Sequence, residues 1–117
     1  MIVGLGTDIV DIRRIARALE RHGERFSQRI ARAEELDGRT ERLAAVFAAK
    51  EACVKALGTG FTGGIGFKDL RVIPGGAPRI ELDGAAAQRA KNLGVRRIQL
   101  SLAHERDYAV ATVILEA

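Results

Sequence analysis

The stretch from Arg42 to Leu57 constrains this chain most. It is composed largely of alanine, leucine and lysine, which favour a helix, and Gly58-Thr59-Gly60 stops it. Thr40 stands where its N-cap is expected. Ahead of it, Ile2 to Ile9 is apolar, β-branched and punctuated by glycine, which predicts a buried strand with Asp8 at its carboxyl end. Ile12, Ile15, Ala16 and Leu19 recur at helical spacing and predict a helix from Val10 to Arg21, closed by His22-Gly23. A weaker helical stretch follows from Glu24 to Leu36. Beyond the long helix comes a loop dense in glycine (Gly58, Gly60, Gly63, Gly64, Gly66), then a hairpin of Phe67 to Pro74 with Arg79 to Leu82 around Pro74-Gly75-Gly76. Asp83 is the expected cap of a helix that runs to Leu93. Two last strands, Arg97 to Ala103 and Tyr108 to Leu115, are joined by His104-Glu105-Arg106-Asp107. This order predicts an α+β fold, with a mainly antiparallel sheet packed on the long central helix.

With 117 residues, a single domain over 1–117 is expected. Hydrophobic residues at 47% and charged residues at 29% are an ordinary globular composition. No apolar run approaches the roughly 20 residues that cross a bilayer, so no membrane association is expected. The start carries Asp8 and lacks a basic segment, unlike a secretory signal. A single cysteine excludes an internal disulfide, and the reducing cytoplasm is the expected compartment. The net charge of +4 favours acidic or phosphorylated partners. With no tryptophan, one tyrosine and four phenylalanines, the chain is poorly supplied for stacking on single-stranded nucleic acid. So small a chain buries only about two-thirds of its unfolded surface, which makes an oligomer favourable.

The chemistry concentrates on the long helix. Phe47, Glu51 and Lys55 recur every four residues and share one face. On spacing alone, Glu51 and Lys55 are either a solvated stabilising pair or parts of a site. Asp8, leaving a buried strand, either caps the next helix or binds something at the sheet's edge. Together, Asp8 and Glu51 would form a hard two-carboxylate site suited to magnesium, whose remaining positions go to water and phosphate oxygens. Lys55 would then face a phosphate, and the Gly58–Gly66 loop would let backbone approach a phosphate ester or simply serve as a connection. The loop is no P-loop, because its glycines close a helix instead of opening one. His104 is either a structural hydrogen bonder or a phosphate contact. His22 suits the dipole at its helix end, and Cys53 reads as buried filler. Arg14, Arg17 and Arg21 form a stripe on the first helix: a solvated face, or a docking surface for an acidic helix. A non-enzymatic basic module that grips nucleic acid would explain these arginines, but it leaves Asp8 without a purpose.

Three segments in this order resemble holo-acyl-carrier-protein synthases, the small stand-alone 4′-phosphopantetheinyl transferases. They are Gly4-Leu5-Gly6-Thr7-Asp8-Ile9-Val10-Asp11-Ile12-Arg13-Arg14-Ile15; Phe47-Ala48-Ala49-Lys50-Glu51-Ala52 with Lys55-Ala56-Leu57-Gly58-Thr59-Gly60; and Ser101-Leu102-Ala103-His104 before Tyr108-Ala109. The resemblance implies transfer of 4′-phosphopantetheine from coenzyme A to a serine of an apo acyl carrier protein, with release of adenosine 3′,5′-bisphosphate, in fatty acid biosynthesis. It implies Asp8 and Glu51 as magnesium ligands and, with Lys55, as catalytic residues. It places Lys55, Gly58, Thr59, Gly60 and His104 against coenzyme A. It further implies a homotrimer with sites at subunit interfaces, and a first helix whose Arg13, Arg14, Arg17 and Arg21 dock the acidic carrier. The chain departs from the family in having Val46 where many members have arginine, and in lacking the usual threonine within Ala31 to Glu34. Arg39 and Arg42 are the basic residues left near the neighbouring site.

Overall fold

A computed structural model describes residues 1–117. The chain runs β1 (Ile2–Asp11), α1 (Ile12–His22), α2 (Glu24–Ile30), α3 (Thr40–Ala56), β2 (Leu70–Ile73), β3 (Arg79–Leu82), α4 (Gly84–Asn92), β4 (Arg97–His104) and β5 (Tyr108–Glu116), with short 3-10 turns at Ala33–Glu35 and Phe67–Asp69. It is α+β and every strand pairing is antiparallel, as the element order predicts. The strands divide into two sheets, β1-β5-β4 and the hairpin β2-β3.

The central sheet is two-sided in chemistry. Side chains alternate faces along a strand, and on β5 the inward set Ala109, Ala111, Val113 and Leu115 is fully buried. Helix α3 lies across that face. Its alanines explain the close fit: Ala44, Ala48, Ala49 and Ala52 are all fully buried and keep the helix axis near the sheet. Gly4 and Gly6 of β1 complete the approach. A Cβ on Gly6 would collide with the Ala52 carbonyl oxygen, and one on Gly4 with that of Ala56. The opposite face is bare, with Leu5 and Ile9 about two-thirds exposed.

Local differences from the sequence reading have identifiable causes. β1 continues to Asp11 because Val10 and Asp11 still pair with Ala109 and Tyr108, so Asp8 lies inside the strand and not at its end. Asp11, not Asp8, caps α1, its Oδ1 accepting from Arg13 N at 2.9 Å. The second helix ends at Ile30, and the chain from Arg32 to Glu35 turns inward to bury the Glu35 side chain. Thr40 is already helical, with Arg39 at the cap position and no side-chain cap bond. Phe67 to Asp69 forms a 3-10 turn, where Asp69 Oδ2 accepts from Gly66 N at 2.9 Å, so β2 starts only at Leu70.

Candidate active site

The glycine contacts that dock β1 on α3 also fix what faces what. Gly4, Gly6 and Asp8 point to the same side of the strand. Gly6 sits on Ala52 and Gly4 on Ala56, so the next inward position, Asp8, meets the flank of α3 that carries Glu51 and Lys55. Lys55 Nζ lies 3.0 Å from Asp8 Oδ1 and also donates to the Thr7 carbonyl at 3.1 Å. The solvated pairing of Lys55 with Glu51 is not what forms, since the ammonium turns to the strand.

Glu51 is partly buried, and its carboxyl is held above the ordinary range, first by that burial and then by the negative charge of Asp8. Lys55 and Arg14 oppose the shift. A cation between the two carboxylates would relieve their repulsion. No group of three or more His, Cys, Asp or Glu gathers anywhere in the chain. Two carboxylates are what the chain offers, a donor set suited to a hard ion that keeps waters and phosphate oxygens.

The glycine loop begins where the turn bearing Lys55 ends. Gly58 and Gly60 have φ of 77° and 58°, a region open mainly to glycine. Thr59 N and Gly60 N both donate to the Val54 carbonyl at 3.2 Å. Arg89 of α4 clamps the same helix end, its Nε donating to the Leu57 carbonyl at 2.9 Å. His104 is exposed at the end of β4 and lies apart from the other residues. Its row in the sheet pairs with Ala109 and then Val10, and β5 separates β4 from β1. Two strand spacings, roughly 10 Å, lie between His104 and the strand of Asp8.

Arg14, Arg17, Arg21 and His22 line a shallow groove of about 240 Å³ on α1. A second groove, of about 170 Å³, leads from Arg14 past Ile15 and Phe26 to Phe47, one turn before Glu51. Arg13 is occupied differently. It pairs with Asp11 at 2.9 Å and lies 5.9 Å above the Tyr108 ring, away from the stripe. Cys53 is fully buried, and burial pushes its thiol up to about 12, so filler is its role. Val46 is fully buried in the core, which leaves that position of α3 without charge.

Sequence reasoning missed the second ion pair on α3. Lys50 and Glu35 have fully buried side chains 3.0 Å apart. Lys50 Nζ also donates to the Ile30 carbonyl at 2.7 Å, and the Glu35 carboxylate accepts from Arg32 N and Val72 N, each at 2.8 Å. Burial draws the Lys50 ammonium below the usual lysine range, and Glu35 opposes that. The signal was a lysine inside an otherwise apolar helix face, which has to find an anion.

Residues 4–113 match the 4′-phosphopantetheinyl transferase superfamily. A holo-[acyl-carrier-protein] synthase of Halorhodospira halophila is 55% identical, over 98% of both chains. Among solved structures, the holo-[acyl-carrier-protein] synthase of Neisseria meningitidis superposes with a TM-score of 0.90 at 37% identity, covering all of both chains. That of Helicobacter pylori, in complex with coenzyme A, gives 0.86 at 28% identity, covering 96% of this chain and 99% of that one.

Proposed function

This chain belongs to the 4′-phosphopantetheinyl transferase superfamily as a holo-acyl-carrier-protein synthase, and on that premise we propose the roles of its residues in transferring 4′-phosphopantetheine from coenzyme A to a serine of an apo acyl carrier protein. The observation that carries the reading is the meeting of Asp8, Glu51 and Lys55 where β1 crosses α3.

Asp8 and Glu51 would hold magnesium, their carboxylates supplying hard oxygen donors. When bound, the ion would neutralise and orient the coenzyme A diphosphate. Glu51 would also take the proton of the carrier serine. The serine oxygen then bonds to the phosphorus that carries the pantetheine arm, and the bond from that phosphorus to the nucleotide breaks. Lys55 offsets the charge that grows on the departing adenosine 3′,5′-bisphosphate. The backbone of Gly58, Thr59 and Gly60 lines the path of the substrate just beyond Lys55. The groove of Arg14, Arg17 and Arg21 receives the acidic carrier and leads toward Phe47 and Glu51.

A homotrimer completes this reading. The bare sheet face of Leu5 and Ile9 needs cover, and His104 stands on the other edge strand of its own sheet, β4, two strands from the site of Asp8. It would serve a neighbour's. A role in fatty acid biosynthesis follows from the carrier as substrate. The test is the intact mass of an apo acyl carrier protein incubated with the chain, coenzyme A and magnesium, beside an EDTA control. A gain of about 340 Da, the phosphopantetheine increment, seen only with metal is expected. No gain with several carriers would refute it.

A further inference from the structure

The Asp8 carboxylate already has a cation. Lys55 Nζ sits 3.0 Å from Oδ1 and is steadied by the Thr7 carbonyl. The reading above, on which this inference rests, assigns a metal ion to that same carboxylate. Lys55 holds only Oδ1, but a metal on either oxygen would stand within about 6 Å of the ammonium, and two cations that close in a half-buried site repel. We propose that Lys55 is the resident cation of the free site and leaves Asp8 before a metal enters, so that metal and phosphate substrate bind as a coupled pair.

The geometry makes the exchange feasible. The Lys55 side chain is 51% exposed and Asp8 only 14%. The ammonium can swing into solvent on its flexible stem, whereas the carboxylate stays with the strand. A diphosphate offers the ammonium a new partner on the exposed side of α3, and moving there vacates Oδ1. The free chain therefore binds divalent cations weakly, and the substrate-loaded chain binds them tightly. By linkage, the metal raises affinity for the diphosphate by the same factor. Lys55 makes no hydrogen bond to Glu51 and acts on it only through its charge.

The test is Mn²⁺ binding to the full chain without coenzyme A, followed by loss of the free-ion paramagnetic resonance signal. Lys55→Met, which keeps the stem and removes the charge at a half-exposed position, is expected to tighten Mn²⁺ on the order of tenfold. Lys55→Arg should stay as weak as the parent. Asp8→Asn introduced into Lys55→Met should erase the gain. The idea is overturned if Lys55→Met binds Mn²⁺ no better than the parent, or not at all. It is also overturned if Lys55→Arg tightens equally or if the gain survives Asp8→Asn. The carrier mass assay separates the two claims: transfer by the parent without a Lys55→Met gain sinks only the exchange, whereas the gain without any transfer sinks only the proposed reaction.

Discussion

Helix α3 carries two lysines that each face a carboxylate at 3.0 Å, and the two pairs behave as opposites. Lys50 and Glu35 are fully buried, and backbone groups of Ile30, Arg32 and Val72 complete their hydrogen bonds. Lys55 and Asp8 meet at the surface, with the lysine half in water. Equal distances conceal unequal roles. A buried pair cannot exchange partners without exposing a lone charge to the core, so it fixes the Ile30–Glu35 turn and β2 against α3. A half-exposed pair contributes little to stability and is free to trade its partner for a substrate.

The comparison breaks if the two lysines answer alike. Lys50→Ala leaves Glu35 buried without its cation and should cost about 3–5 kcal/mol, read as a large drop in denaturation midpoint. Lys55→Ala should leave that midpoint nearly unchanged. Asp8→Ala and Glu51→Gln should each lower transfer at least 100-fold while circular dichroism stays native, and retained transfer in either would remove the metal assignment. Gly6→Ala tests the dock that sets Asp8 against Lys55. Its methyl has no room against the Ala52 carbonyl, so α3 must shift. A loss of about 1–3 kcal/mol together with impaired transfer is expected.

Two smaller effects sharpen the contrast. Arg14→Glu with Arg21→Glu should raise the KM for carrier roughly tenfold and leave coenzyme A affinity in place; an unchanged carrier KM would remove the docking role. Glu51 contributes its own slope to the pH dependence of the metal-free fold. Its carboxyl is raised in the folded chain, so the folded state binds more protons than the unfolded one above the ordinary glutamate range, and stability falls as pH rises through that window. Glu51→Gln should remove this slope and melt at or above the parent at neutral pH, with the gap closing under acid. A variant that melts lower at pH 7 would contradict the placement of Glu51.

Much of this was legible in the chain. The alanine-rich run from Arg42 announced α3, the flanking strands were found within a few residues, and Asp8, Glu51 and Lys55 stood out by type and spacing. Errors fell where a side chain's partner is distant. Asp8 and Asp11 stand three residues apart in one strand, and only the β1–β5 register shows that the strand lasts to Asp11, which then caps α1. Lys50 sits within the motif used for recognition, yet Glu35 hid in a stretch read as helix, because nothing local marks a turn that folds a carboxylate inward.

The sequence by itself determined the class of fold, the central helix and the residues proposed for phosphoryl transfer, since these follow from local propensity and residue type. Tertiary structure decided the pairings. Gly4 and Gly6 read as punctuation in the sequence, but in three dimensions they let α3 reach the strand and so set Asp8 against Lys55. Whether a lysine becomes a fixed strut or an exchangeable cation depends on how much water and how many partners surround it, and those are properties of the packed chain alone.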